Sequence, residues 1–238
     1  MKKQQRFLQS FGRLINNKGG FMSYHFQHEH FSKFPQMKPW VGEQYASGNT
    51  KRLLMLGESH YLPPESDKSA RWYSLNERTL TPEERLWTCP SDIIAENIED
   101  NFRYGAHYIF KNSCYVINEM SFHYNNLGKI MEHIAFINFF QRPAENTGDS
   151  INVSDQDVTI ASEVLRDVIR ALKPELIVFT SSKASWFGES IARELNIPVA
   201  VSPHPGCAWW NREAKKYGGY GRDVIPKFLI QHHWYAQA

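Results

Sequence analysis

The stretch LLMLGESHYLPP, residues 53–64, runs from apolar side chains into a glycine and then into four groups that can do chemistry: Glu58, Ser59, His60 and Tyr61. Glu58 can orient or deprotonate a water where its surroundings keep it ionised and partly dry, or it can anchor its own loop by accepting backbone N–H groups. Ser59 after Gly57 could be presented as a nucleophile on a sharp strand-end turn, although the closing glycine of such a turn is missing. A second group lies in SPHPGCAWWN, residues 202–211, where His204 stands between two prolines and Trp209 and Trp210 follow. A histidine so placed can stabilise negative charge developing on a carbonyl oxygen. Asn138, in FINFFQRP, carries both an amide donor and a carbonyl acceptor, which can serve a ligand or simply close a strand.

Other chemistry-bearing residues point away from metals. HFQHEH places His25, His28 and His30 at i, i+3 and i+5, which matches no standard site, and it is expected as a solvated loop. Cys89, Cys114 and Cys207 are scattered and form no CxxC, so neither a zinc ribbon nor an iron–sulfur cluster is expected, and no cofactor is implied.

The elements that must position these groups alternate in type. Residues 52–56, 133–140, 175–180 and 197–202 read as buried strands. Between the later ones, Ser154 or Asp155 caps a helix whose stripe is Val158, Ala161, Val164, Leu165, Val168, Ile169 and Leu172, and ASWFGESIARELN forms another. Strand, helix, strand, helix, strand implies right-handed crossovers and a parallel sheet. In such a sheet ligands sit beyond the carboxyl ends of the strands. Those ends are GESHY, QRPAEN, TSSKAS and SPHPGCAWWN, where the reactive residue types concentrate.

Elsewhere, Phe7, Leu8, Phe11, Leu14 and Ile15 recur at helical spacing, and FPQMKPW is extended by its prolines. Thr81, Pro82 and Glu84 start a helix that runs to about Trp87. Ser91 or Asp92 opens a longer one through IIAENIEDNFRYGAHYIF, VINEM is ambiguous, and GRDVIPKFLIQH closes the chain as a helix that Pro226 starts or kinks.

At 238 residues the chain accommodates one sizeable α/β domain, and two would be cramped. A net charge of +2 permits contact with a polyanion without arguing for it. Aromatic residues make up 14% of the chain, which means either a core rich in Phe and Tyr or a surface that stacks on rings. No stretch approaches the ~20 apolar residues of a membrane span, and no leader is evident, so a cytoplasmic location is expected.

Two motifs together carry a family resemblance. A strand ending in Gly57-Glu58-x-x-Tyr61, and a later one ending in His204-Pro205-Gly206, are similar to the two signature motifs of the uracil-DNA glycosylase superfamily. Asn138 followed by Arg142-Pro143, and LKPELIVFTSSKA, agree in order over about residues 51–230. The resemblance implies a three-layer α/β/α fold with a central four-stranded parallel sheet in residues 51–238, carrying a helical insertion at about 62–130, with 1–50 as an N-terminal extension packed on it. It also implies hydrolysis of the N-glycosidic bond of a flipped base. Glu58 and His204 then carry the chemistry, Gly57, Tyr61, Trp72 and Asn138 line the substrate pocket, and Trp209, Trp210 and Arg212 meet nucleic acid, DNA first. Lys215, Lys216 and Arg222 could meet phosphates or form a solvated face, and Trp72 could equally be core. The water-activating Asp of the best-known branch is replaced here by Ser59. That departure leaves open a binding module for a nucleotide-like ligand, with a serine esterase as the remaining alternative.

Overall fold

The computed structural model describes residues 24–99, 101–102 and 107–235. The helix expected near 4–15 lies outside them. A five-stranded sheet organises the rest, in the order β1-β3-β2-β4-β5. Its strands are β1 (Trp40–Val41), β2 (Leu53–Gly57), β3 (Ile134–Asn138), β4 (Leu176–Phe179) and β5 (Val199–Val201). β3, β2, β4 and β5 run parallel, as expected. β1 adds an antiparallel edge through Trp40 opposite Phe136 and Val41 opposite Ala135. The sheet therefore has five strands, not four. Two residues beside prolines carry no strand periodicity, so only pairing with β3 reveals the fifth.

Strand alternation divides the core in two. Leu54, Leu56, Ala135, Ile137, Ile177 and Phe179 face one cluster, which takes in Ala161, Val164, Leu165 and Val168 of one helix and Ala184 and Ile191 of another. Those helices are Asp155–Leu172 and Ser182–Glu194. Leu53, Met55, Ile134, Phe136, Leu176 and Val178 face the other cluster, with Ile94, Phe110, Ile117, Ile225 and Leu229. A run buried on both faces needs apolar residues at every position, which is why these strands read as continuous stripes.

Among the described residues the α-helices are α1 (His30–Lys33), α2 (Pro82–Trp87), α3 (Pro90–Glu99), α4 (Tyr108–Met120), α5 (Asp155–Leu172), α6 (Ser182–Glu194) and α7 (Val224–Gln231). Thr81 and Ser154 each close a capping box, with Glu84 and Asp157. The single long helix expected from Ser91 is two helices. Asn101, Phe102 and His107 take positive φ angles of 46°, 55° and 65° between them, which no continuing α-helix allows. VINEM falls inside α4. A short hairpin, β6 (Glu213–Ala214) with β7 (Gly219–Tyr220), leads to α7, whose third residue is Pro226.

The HFQHEH segment departs from a solvated loop. His30 is buried, with its ring 5.2 Å from Phe34, and His28 pairs with Glu163 at 3.2 Å. Among the described residues no helix is long and apolar enough to cross a membrane.

Candidate functional site

Glu58 follows β2 directly, and its carboxylate is a junction. Oε1 accepts from the Ser150 hydroxyl and, at 3.2 Å, from the Ile151 N–H; Oε2 accepts from the Ser181 hydroxyl at 2.7 Å. Ser181 is also the N-cap of α6, taking the Ala184 N–H at 3.2 Å. One carboxylate thus joins the tail of β2, the loop after β3 and the turn after β4. A carboxylate offers about four lone-pair positions, so about one is left for a further donor.

The loop after β3 is itself fixed by a buried ion pair. Arg142 grips Asp157 through Nε at 2.8 Å and Nη2 at 3.1 Å, and donates to the Pro143 carbonyl at 3.0 Å. The Tyr73 hydroxyl adds a bond to Asp157 at 2.8 Å. Burial works to raise the Asp157 pKa, but Arg142, Ser154 and Tyr73 outweigh it and hold the carboxyl below its ordinary range. Removing one partner of such a pair typically costs ~3–5 kcal/mol, so Arg142 stiffens the loop that brings Ser150 and Ile151 to Glu58. The backbone of Glu58 is tied to the same loop, with its carbonyl accepting from Phe140 at 2.9 Å.

Asn138 lies opposite Gly57 in the parallel ladder. A Cβ built on Gly57 would stand 2.1 Å from Asn138 Oδ1 and 2.9 Å from Phe136 Cζ. The amide of Asn138 therefore crosses the strand end over Gly57, in space that any other residue at 57 would fill. Close approach, not turn conformation, requires this glycine.

His204 occupies the turn after β5. Its Nδ1 accepts from the Gly206 N–H at 3.0 Å, and its carbonyl accepts from Cys207 at 2.9 Å. An accepting Nδ1 places the proton of the neutral ring on Nε2. By surface area the residue is exposed, yet the protein around the ring desolvates it and lowers its pKa, while the Glu58 carboxylate acts to raise it. The two groups are in electrostatic reach, and the ring is neutral at pH 7. Tyr61 shares this neighbourhood: it is half-buried, and its phenol is pushed up by burial and then by the charges of Glu58 and Asp149.

Three expected residues lie elsewhere. Trp72 is a core residue, 1% exposed and stacked on Phe34 at 4.4 Å in a separate cluster with Met37, Leu62 and Leu80, so it offers no face to a ligand at Glu58. Trp210 is 3% exposed and packs in the core, where it also lines a cleft beside α4, whereas Trp209 is 51% exposed with the Arg212 guanidinium 5.8 Å from its ring. Both lie in the short 3-10 helix Ala208–Asn211, whose successive side chains point about a third of a turn apart, so one ring can enter the core while its neighbour stays outside. Ser59 is buried and its hydroxyl makes no hydrogen bond among the described residues; the His60 Nε2 is likewise unpartnered. With no Ser–His contact, the nucleophilic reading of GESHY has no base.

Ser150, Ser181 and the Arg142–Asp157 pair were not singled out from sequence. Only Arg142-Pro143 and the strand-end position of TSSKAS signalled them. Two surface clefts lie apart from this group. One of about 390 Å³ is lined by Thr50, Lys51, Arg52 and Glu175; another of about 570 Å³ lies between α4 and residues 210–226. Among the described residues no group of three or more His, Cys, Asp or Glu side chains is placed to hold a metal ion. No protein-family model matches the chain, and no curated protein matches it.

Proposed function

We propose that the chain is a divergent member of the uracil-DNA glycosylase superfamily, a three-layer α/β/α domain that hydrolyses the N-glycosidic bond of a base flipped out of nucleic acid, with DNA the first candidate. One observation carries the reading: Glu58, Asn138 and His204 stand at the carboxyl ends of three strands of a single parallel sheet, with Glu58 and His204 in electrostatic reach. That is where an open α/β sheet binds its ligand.

The proposed roles are those the resemblance implies. Asn138 reads the polar edge of the extruded base. The neutral His204 ring donates from Nε2 to the carbonyl oxygen that gains charge as the bond opens. Glu58, with about one lone pair free, holds and orients the attacking water. Tyr61 walls the pocket.

Single-turnover assays on oligonucleotides carrying different altered bases test this. His204→Ala and Glu58→Gln are expected to lower the rate about a hundredfold with little change in binding, because both act on charge that appears in the transition state. Asn138→Asp should change which base is accepted. Unchanged rates in the first two variants would remove the assignment. A second reading, a non-catalytic module binding a nucleotide-like ligand at the same place, is favoured by the three donors that already occupy Glu58. Binding of a base-bearing ligand with no turnover on any substrate selects it.

A further inference from the structure

The cleft of about 570 Å³ between α4 and residues 210–226 belongs to no role assigned above. Its α4 wall is Asn112, Tyr115, Val116, Glu119 and Met120, spaced as one helix face; Asn211 and Arg222 stand opposite. Tyr115 is 53% exposed, so its ring is open to a ligand. Arg222 is also exposed, and its guanidinium lies 5.1 Å from the Tyr220 ring. The rings of Tyr115 and Trp210 and one guanidinium, Arg222, line the cleft together, the residue types on which a base stacks and to which a phosphate is held.

The cleft and the His204 turn are separate but share the helix α4. Asn112 donates from Nδ2 to the Pro205 carbonyl at 2.8 Å, and a Cβ on Gly206 would come within 3.2 Å of the Tyr108 Cβ. One helix thus braces the turn and carries the cleft. Tyr108 and Tyr115 are both about half exposed, and seven residues place them on the same face, ~10 Å apart along the axis. That separation equals about three stacked steps of a nucleic-acid strand at ~3.4 Å each.

We propose that this cleft binds an unpaired nucleotide of the strand whose target base enters at Asn138 and His204, with the strand running along the Tyr108–Tyr115 face of α4. The base stacks on Tyr115, and its phosphate meets Arg222. Glu119 and Asp223, which also line the cleft, repel phosphate, so the part of the cleft beside them is left to the base. A carboxylate accepts from an exocyclic amino group, so cytosine, adenine or guanine is favoured there over thymine or uracil.

This inference rests on the nucleic-acid reading of the strand-end site, and its test separates the two. Anisotropy of end-labelled eight-nucleotide single strands, d(C)8 and d(T)8, at low salt with the whole chain, reads binding without any excision. Tyr115→Ser and Arg222→Ala are each expected to raise Kd for d(C)8 about tenfold. Both side chains are exposed, and a thermal melt checks that each variant folds. Glu119→Gln should abolish the preference for d(C)8 over d(T)8. Wild-type binding that none of the variants alters would overturn this inference and leave the base-excision reading standing. Tyr115-dependent binding without excision of any base would support the inference while the excision reading fails. Absence of wild-type binding to either strand would overturn the inference.

Discussion

The Gly206 N–H donates to Nδ1 of His204 across 3.0 Å, so the same ring nitrogen that closes the turn fixes where the ring carries its proton. Protonating His204 would set an N–H against an N–H and force the turn open. Two opposing influences set when that happens: burial lowers the pKa, and the Glu58 charge raises it. Glu58→Gln removes the second alone, so the His204 pKa is expected to fall further below its ordinary 6.5. Histidine Cε1–H shifts followed by NMR across pH 4–8 read this directly, and the acid limb of any activity should move to lower pH with them. A His204 pKa that stays fixed or rises in the variant would place the two groups out of reach.

Much of this site was legible because its residues sit at the ends of strands that advertise themselves. LLML and IAFIN are apolar on both faces, so their ends, and with them Glu58 and Asn138, could be located without coordinates, and the short apolar run ending at Val201 did the same for His204. Thr81 and Ser154 were equally legible, since a capping box is a contact between residues three apart. What escaped depends on distance along the chain. Ser150 lies 92 residues from Glu58, and Ser181 lies 123 away, so nothing local marks them as partners. Trp72 and Trp209 show the same limit for burial: composition announces an aromatic residue, and only packing decides which ring the core takes. The break between α3 and α4 escaped because Asn101 and Phe102 adopt left-handed backbone in a stretch whose side chains continue a helical pattern.

Gly57 offers a test of Asn138 that needs no substrate. Alanine there brings its methyl to 2.1 Å from Asn138 Oδ1 and 2.9 Å from Phe136 Cζ, a clash that something must relieve. Overpacking of this kind costs ~1–3 kcal/mol. If the Asn138 amide takes most of it, Asn138→Ala should recover the greater part of the loss in the double variant, with the remainder owed to Phe136. Urea melts of the two single variants and the double complete the cycle. Additive losses would mean that the amide does not cross Gly57.

The last expectation concerns acid. His30 and His60 are both buried, and the Nε2 atoms of both make no hydrogen bond among the described residues. Desolvation lowers each pKa to about 3, and the positive fields of His60, His28 and Lys33 add to it for His30. In the unfolded chain both titrate near 6.5. Between those values the unfolded chain binds protons that the folded chain refuses, so stability is complete above pH 6.5 and declines as pH falls. Each histidine contributes at most about 1.4 kcal/mol per pH unit within that window. Carboxylates add their own losses near pH 4, so the interval from pH 7 to pH 5 isolates the histidines. His60→Leu removes one titrating group and strands no partner, because the lost nitrogen had none. Urea midpoints should fall between pH 7 and pH 5 in the wild-type chain and less steeply in His60→Leu, in which His30, His107, His133 and His204 still have lowered pKa values. Equal slopes in the two would show that His60 gains its proton while folded and that its burial does not govern acid stability.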